Sequence, residues 1–373
     1  MVTDRDTVIE LIGQLSCACA PSGFEDETCE LVHEFVEREL EGTSSRETNL
    51  RNVLITPAGM ADPAEEPGRC RVMLDAHGDE VGLTVKSIRP NGTMTFIELG
   101  RYTGGALAGE HFWVRNTKGD WLDAVVVAKS PHFQSEAERT GKVAPELLLD
   151  CGATSAEDAV ENFHMGIGEP AVPATEFAFD PERGVMFGKA FDDRAGVAAL
   201  LLTLRELELR AQEGDSTPEV DYVGCVSSQE EVGGRGVKAC ARWASPNCCI
   251  MFEGAPADDT FAAPGDVQCA LKGGPMLRFA DVSMITSPRF QHFALSVAER
   301  RGIKCQAAVR QGGGTNGGLV HVMDEGIPCI VIAVPCRYVH AGTCIMAVED
   351  LEGAVDLAVA IVEELTPEVI EGF

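Results

Sequence analysis

The chain has 373 residues, 45% of them apolar and 24% charged, the make-up of a soluble globular protein too long for one compact core. Its 59 acidic against 30 basic side chains give a formal charge of −29, which repels phosphate backbones and anionic membranes and argues against nucleic acid or lipid as partners. No apolar run, the longest being around Ala195 to Leu204, approaches the ~18–20 residues that span a bilayer.

Met1 to Asp6 carries acid where a signal peptide carries base, and an amphipathic helix follows, so a cytoplasmic location is expected. Fourteen cysteines are scattered among apolar neighbours with no Cys-x-x-Cys pair. That placement predicts reduced, buried thiols acting as small hydrophobes, not disulfides or a thiolate zinc site.

In chain order, residues 5–17 and 25–40 read as helices, the second with Cys29, Leu31, Val32, Phe35, Val36 and Leu40 at near-helical spacing. A short strand at Asn52 to Thr56 sits between polar stretches, and Cys70 to Ala76 has the apolar continuity of a buried strand. From about Val81 to Phe179 short strand-like runs follow one another: Gly82 to Ile88, Thr93 to Leu99, His111 to Asn116, Leu122 to Lys129 and Leu147 to Cys151. Asn91-Gly92 between the first two predicts a hairpin turn. One short helix near Ala156 to Phe163 interrupts this all-β texture of a small barrel or sandwich.

After Val185 helices and strands alternate again, through a helix at Ala195 to Arg210, strands at Val220 to Ser227, Cys248 to Phe252 and Cys329 to Val334, and a closing helix at Leu351 to Leu365. The whole predicts an α/β fold, a mostly parallel sheet flanked by helices, with a small all-β barrel or PDZ-like domain inserted. Residues 1–79 and 180–373 would form the discontinuous α/β domain and 80–179 the insert.

Five acid- or His-bearing motifs stand out, most of them where a strand ends, the edge at which open α/β sheets bind ligands. They are Asp75 to Glu80, Gly188 to Arg194, Ser227 to Gly234, Met251 to Gly254 and Pro335 to His340. Taken singly each has a plain structural reading: His77 as a core hydrogen-bonder, Asp192 or Asp193 as a helix cap. Together they supply two histidines and three or four carboxylates, a set without thiolates that suits zinc, cobalt or manganese in a hydrolytic site. Two ions about 3.5–4 Å apart can clamp a carbonyl and acidify a shared water, and a spare carboxylate is then needed to shuttle its proton. The adjacent Glu230 and Glu231 offer that division of labour, and Asp79 could hold the tautomer of His77. Gly312 to Gly318 reads as a tight strand-to-helix turn.

His77-Gly78-Asp79-Glu80-Val81-Gly82, Asp192-Asp193-Arg194-Ala195-Gly196, Gln229-Glu230-Glu231-Val232-Gly233 and Arg337-Tyr338-Val339-His340 resemble, in order, the signatures of the tetrahedral or glutamyl aminopeptidases, a cellulase-M-like metallopeptidase family. The resemblance covers nearly the whole chain. It implies that His77, Asp192 and Glu253 hold one metal and Asp192, Glu231 and His340 the other, with Asp192 bridging, Glu230 as general base and Asp79 orienting His77. It implies two divalent ions per subunit, zinc first, with cobalt or manganese as alternatives, and short peptides as substrates. The insert would mediate dimerisation, and the dimers would assemble into a dodecamer. Two departures stand out. Glu253 occupies a position that is commonly Asp, and Asn316 in Gly314-Thr315-Asn316-Gly317-Gly318 replaces an Asp near the site.

Three other readings are open: a deacylase or carboxypeptidase of similar architecture, a glycosidase with two opposed carboxylates and no metal, and an inactive assembly protein. A requirement for a free substrate α-amine separates the first, and insensitivity to chelators would favour the second. The full set of ligand types argues against the third.

Overall fold

The computed structural model describes residues 4–373 apart from Pro67, Gly104, Val143 and Asp215. Three strands precede the insert, β1 (Ser44–Glu47), β2 (Val53–Thr56) and β3 (Arg71–His77). Six then close into a barrel: β4 (Gly82–Ile88), β5 (Met94–Leu99), β6 (His111–Arg115), β7 (Trp121–Ala128), β8 (Leu147–Asp150) and β9 (Pro170–Pro173). The chain returns through β10 (Ala178–Asp180), β11 (Val185–Gly188), β12 (Asp221–Ser227), β13 (Cys248–Pro256), β14 (Met276–Ala280), β15 (Gln306–Val309), β16 (Cys329–Arg337) and β17 (Cys344–Ala347).

Outside the barrel, the strands form one eleven-stranded sheet in the order β1-β2-β12-β3-β13-β16-β17-β11-β10, with β14 and β15 branching from β16. Its four central strands, β12, β3, β13 and β16, are parallel. The outer pairings β1–β2, β2–β12, β16–β17, β17–β11 and β11–β10 are antiparallel. Alternation along the central strands divides the core in two. Val72, Leu74, Ala76, Ile250, Phe252, Ile330 and Ile332 face the helices Arg5–Cys17, Asp26–Glu39, Phe191–Glu213, Pro288–Arg301 and Val348–Glu364. Met73, Cys225, Cys249, Met251, Val331 and Ala333 face Val237–Ala244 and Gly317–Val320. A strand covered on both faces needs apolar residues at every position, which is why these segments read as continuous runs.

The parallel register aligns the carboxyl ends of these strands: Ser227 pairs with His77, Met251 with Asp75, and Glu253 with Ala333. The barrel starts directly beyond that edge, with Leu83, Val85, Met94, Phe112, Val114, Val126 and Leu149 filling its interior. Its long β5–β6 connection returns to the sheet, where Thr103 N donates to His340 O at 2.9 Å and Tyr102 Oη donates to Val81 O at 3.0 Å. The Asn91-Gly92 turn is present, with Gly92 at φ +89° and Arg89 N donating to Thr93 O at 2.8 Å.

Several elements differ from the sequence reading. Ser44–Glu47 forms a strand although its Ser-Ser-Arg-Glu sequence has no apolar alternation, because it is an exposed edge held by the ladder to β2. The ladder between β13 and β16 continues to Pro256 and Cys336. Glu253 therefore sits inside a strand rather than at its end. All fourteen cysteines are free and most are buried, as their apolar settings predict. Among the described residues no helix is long and apolar enough to cross a membrane.

Candidate active site

His77 is the last residue of β3, and its ring meets two carboxylates. His77 Nε2 lies 3.1 Å from Asp192 Oδ1 and 3.5 Å from Glu253 Oε1. Across the site, His340 Nε2 lies 3.3 Å from Asp192 Oδ2 and 3.2 Å from Glu231 Oε1. The two oxygens of Asp192 thus face different imidazoles, with Glu253 and Glu231 beside each. Although His340 is close, Glu231 Oε1 is buried without hydrogen-bond geometry to any protein group among the described residues. Apart from the His77 Nε2–Asp192 Oδ1 contact, which has hydrogen-bond geometry, these are lone pairs converging on a common space, an arrangement that suits a shared cation. Donor atoms of His77, Asp192 and Glu231, and likewise of His77, Asp193 and Glu253, lie within 4.8 Å of one another.

The backbone explains how these side chains converge. Ala190 takes φ +56°, and Asp192 (φ −89°, ψ 103°) and Asp193 depart from helical angles, so the first turn of the helix Phe191–Glu213 opens toward the sheet edge. The peptide joining Asp192 and Asp193 is cis. Gly254 lets β13 pass beneath this turn, since a Cβ there would lie 2.6 Å from Asp192 Cα. Asp193 belongs to the cluster but is occupied: its oxygens accept His77 N at 3.2 Å and Gly196 N at 2.8 Å. It fixes backbone, whereas Asp192 faces the imidazoles.

Asp79 is fully buried and does more than the sequence suggested. His77 Nδ1 lies 3.1 Å from the Asp79 carbonyl and 3.4 Å from its Oδ1. The carboxylate also accepts Glu230 N at 2.9 Å, Glu231 N at 3.2 Å and Ser22 Oγ at 2.6 Å. Behind it, buried Glu80 accepts Lys189 Nζ at 2.6 Å and lies 3.5 Å from Arg194, tying the segment after β3 to the one carrying Asp192.

Electrostatically the site holds an excess of acid. Among the described residues no Lys or Arg pairs with Asp79, Asp192, Asp193, Glu230, Glu231 or Glu253; their only basic partners are the two histidines. Burial pushes Glu230 and Glu253 well above the usual carboxylate range, with Glu253 adding to the first and Asp192 to the second. Burial also raises Glu231, against the pull of His340. Burial would lower His340, but Asp192 and Glu231 hold it up at about 11. Such a cluster is unfavourable with protein groups alone, and a divalent cation reverses the sign of the local interaction. Burial, reinforced by Asp79, also pushes Glu25 up to about 7.

Asp192, Glu230, Glu231, Glu253 and His340 line one cavity of about 800 Å³, shared with Arg101, Arg278, Arg310 and the Gly312–Thr315 loop. Imidazoles and carboxylates at a strand-end cleft are what metal-assisted hydrolysis requires. The family model described as M42 glutamyl aminopeptidase matches residues 60–357. The chain belongs to that family.

The glutamyl aminopeptidase of Lactococcus lactis subsp. cremoris is 30% identical over 321 residues, 86% of each chain. A TET aminopeptidase from a marine-sediment Thaumarchaeota archaeon superposes with a TM-score of 0.90 at 31% identity, covering 98% of this chain and 99% of that one. The TET1 peptidase of Pyrococcus horikoshii, 27% identical, gives a TM-score of 0.81 over 96% and 100% of the two chains. This M42 chain is thus an aminopeptidase, a peptide hydrolase of a metal-dependent family.

In this M42 chain the structure brings together all seven residues singled out in the sequence, His77, Asp79, Asp192, Glu230, Glu231, Glu253 and His340. Asn316, which stands where the family pattern has Asp, is buried. Its Nδ2 donates to Asp75 Oδ2 at 2.9 Å and Ser227 Oγ at 2.8 Å, so the amide is turned into the protein below the strand ends. An aspartate there would oppose Asp75, a buried acid already raised to about 7. Sequence reasoning missed Ser22 and Glu25, which lie in the loop joining the first two helices and carry no motif of their own. It also missed Arg278 and Arg310, since isolated arginines in a long chain give no signal.

Proposed function

We propose that this M42 aminopeptidase works with two divalent cations, one held by His77, Asp192 and Glu253 and the other by Asp192, Glu231 and His340. The observation carrying this reading is Asp192, whose Oδ1 and Oδ2 each face a different imidazole. Nitrogen and carboxylate donors without thiolate suit zinc, with cobalt or manganese as alternatives. When bound, such ions supply Lewis acidity at the scissile carbonyl and acidify water. Glu230 lines the cavity and makes none of the close imidazole contacts that Glu231 makes. It is the proposed general base. Its carboxylate takes a proton as the water oxygen bonds to the carbonyl carbon, then gives it to the departing amine as the C–N bond breaks. Asp79 orients His77 and anchors the backbone of Glu230 and Glu231.

The substrates proposed are short peptides with an acidic N-terminal residue. Arg278 is 4% exposed, and among the described residues its one side-chain hydrogen bond is a 3.4 Å contact to Asp281. Arg310 donates to Asp258 and to Pro256 O, and both arginines line the cavity that holds the carboxylates and His340. Guanidinium N–H groups on the cavity wall suit a substrate carboxylate, and the Lactococcus relative is a glutamyl aminopeptidase. In a panel of aminoacyl arylamides, glutamyl and aspartyl substrates should give the highest kcat/KM, and N-acetylation should abolish cleavage. Arg278→Met should cut the glutamyl value about tenfold or more, the scale of a charge-assisted hydrogen bond, while sparing leucyl cleavage. A preference for lysyl or leucyl substrates would contradict the acidic assignment, and cleavage of acetylated substrates the aminopeptidase one.

Residues 1–79 and 180–373 are proposed as the catalytic domain and 80–179 as a dimerisation domain, in a subunit that assembles as dimers into a dodecamer. The TET1 peptidase of Pyrococcus horikoshii can assemble into a tetrahedron or a large octahedral shell. In this chain Ile97, Val125, Val160 and Ile167 are exposed apolar residues in or beside the barrel, the kind of surface that subunit contacts cover. Light scattering should give a large closed oligomer, and deletion of residues 81–178 with a short linker should reduce it to monomer or aggregate. A monomer of the intact protein at micromolar concentration would contradict this. The free cysteines support a reducing, cytoplasmic setting.

A further inference from the structure

The turn that carries Glu230 and Glu231 is held by a device lying mostly in the loop between the first two helices. β12 ends at Ser227, and the chain enters a left-handed residue, Gln229 at φ +57°. That conformation is disfavoured for a residue with a Cβ and persists only where its surroundings enforce it. Three consecutive backbone N–H groups follow, and each is received by a buried carboxylate. Gln229 N donates to Glu25 Oε1 at 3.2 Å, Glu230 N to Asp79 Oδ1 at 2.9 Å, and Glu231 N to Asp79 Oδ2 at 3.2 Å.

Glu25 occupies the capping position of the helix Asp26–Glu39 but makes no side-chain cap bond there. It is 1% exposed, and its Oε1 also accepts Gly23 N at 2.8 Å. Ser22 Oγ donates to Asp79 Oδ2 at 2.6 Å, and Ser22 N donates to Glu80 O at 3.3 Å. The loop therefore grips both halves of the site, the segment after His77 and the Gln229–Glu231 turn. A carboxylate buried to receive two backbone donors is costly to place there unless those bonds matter.

We propose that Glu25 is a positioning residue for the hydrolysis, locking the peptide of Gln229 so that the side chain of the next residue, Glu230, keeps its place on the cavity wall. The function is geometric. What Glu25 must supply is an acceptor oxygen at the right reach, whatever its charge. The proposal rests on the roles given above to Glu230 and Glu231.

That distinction makes a crossed test possible with the intact, metal-loaded enzyme. Glu25→Gln keeps the reach and an acceptor oxygen but removes the charge, and should retain kcat within about threefold. Glu25→Asp keeps the charge but withdraws the oxygen by one methylene. It should lose kcat about tenfold to a hundredfold, the range for groups acting through others and for ångström-scale misplacement, with KM and metal content near those of the parent. Both substitutions are small enough to fold if Glu25→Ala does not. In a Glu230→Gln background the further loss from Glu25→Asp should largely vanish, because the residue acts through the turn. The reverse order, with Asp active and Gln impaired, would overturn the proposal. So would equal kcat in all three proteins, or a loss of activity that tracks metal loss or melting temperature alone. If Glu230→Gln by itself is fully active, the general-base reading fails, while the Gln-against-Asp comparison still reports on whether Glu25 positions the turn.

Discussion

Glu230→Gln is expected to keep its metal ions and its substrate affinity while turnover falls by a factor of about 10²–10⁴, the usual share of general-base catalysis. Glu231→Gln is expected to lose activity together with metal. The two residues are neighbours, attached to one anchored turn, and their backbone N–H groups end on the same carboxylate. Their side chains nevertheless have different surroundings. Glu231 Oε1 lies 3.2 Å from His340, the arrangement of two ligands around one ion. Glu230 has no imidazole so close and lines the open cavity, where a carboxylate can take a proton. Glutamine keeps the size of each side chain but is a poor base and a weaker ligand, so it separates the roles. Metal counts and steady-state kinetics on both variants check this. Metal loss in Glu230→Gln with metal retained in Glu231→Gln would mean the roles are reversed, and full activity in both would make the pair structural.

Much of this site was legible in the sequence because its groups fall at the ends of strands whose unbroken apolar character marks them as central. Cys70 to Ala76 and Cys329 to Val334 announce buried parallel strands, and the residues that follow them carry the chemistry. Glu253 was recognised by type although it lies within β13. Nothing in single-strand periodicity records that β16 continues alongside to Cys336. The antiparallel flanks were harder to read. β1 has no apolar pattern, and β14 and β17 of the sheet, like β9 of the barrel, are short segments that owe their conformation to neighbours distant in the chain. Glu25 and Ser22 were missed for a related reason. An acid opening a helix reads as a local cap, and only the fold reveals that it instead accepts an N–H 204 residues away. Asn316 stands out in the sequence as the loss of a charge near the site, and only the fold shows what it touches, a buried contact with Asp75 and Ser227.

The second large effect expected is at Asp192. Of the proposed ligands it alone serves both ions, and its two oxygens face His77 and His340 at 3.1 and 3.3 Å. Burial alone would raise its pKa, yet the imidazoles of His340 and His77 outweigh burial and hold it below the ordinary carboxylate range. It is therefore an anion ready to bridge. Asn keeps the shape of the side chain but replaces one oxygen with an NH₂ group that cannot coordinate. Losing a bridging ligand weakens both sites at once, so activity should fall by about three orders of magnitude or more, beyond the 10–100-fold typical of changes behind the ligands. The pair of ions is the central claim, and metal stoichiometry tests it. The parent protein, stripped by chelator, should be inactive, should regain activity on titration with zinc, cobalt or manganese, and should bind two ions per chain by elemental analysis, whereas Asp192→Asn should bind fewer and remain inactive. Full activity in metal-free parent protein, or two ions and normal turnover in Asp192→Asn, would contradict the account.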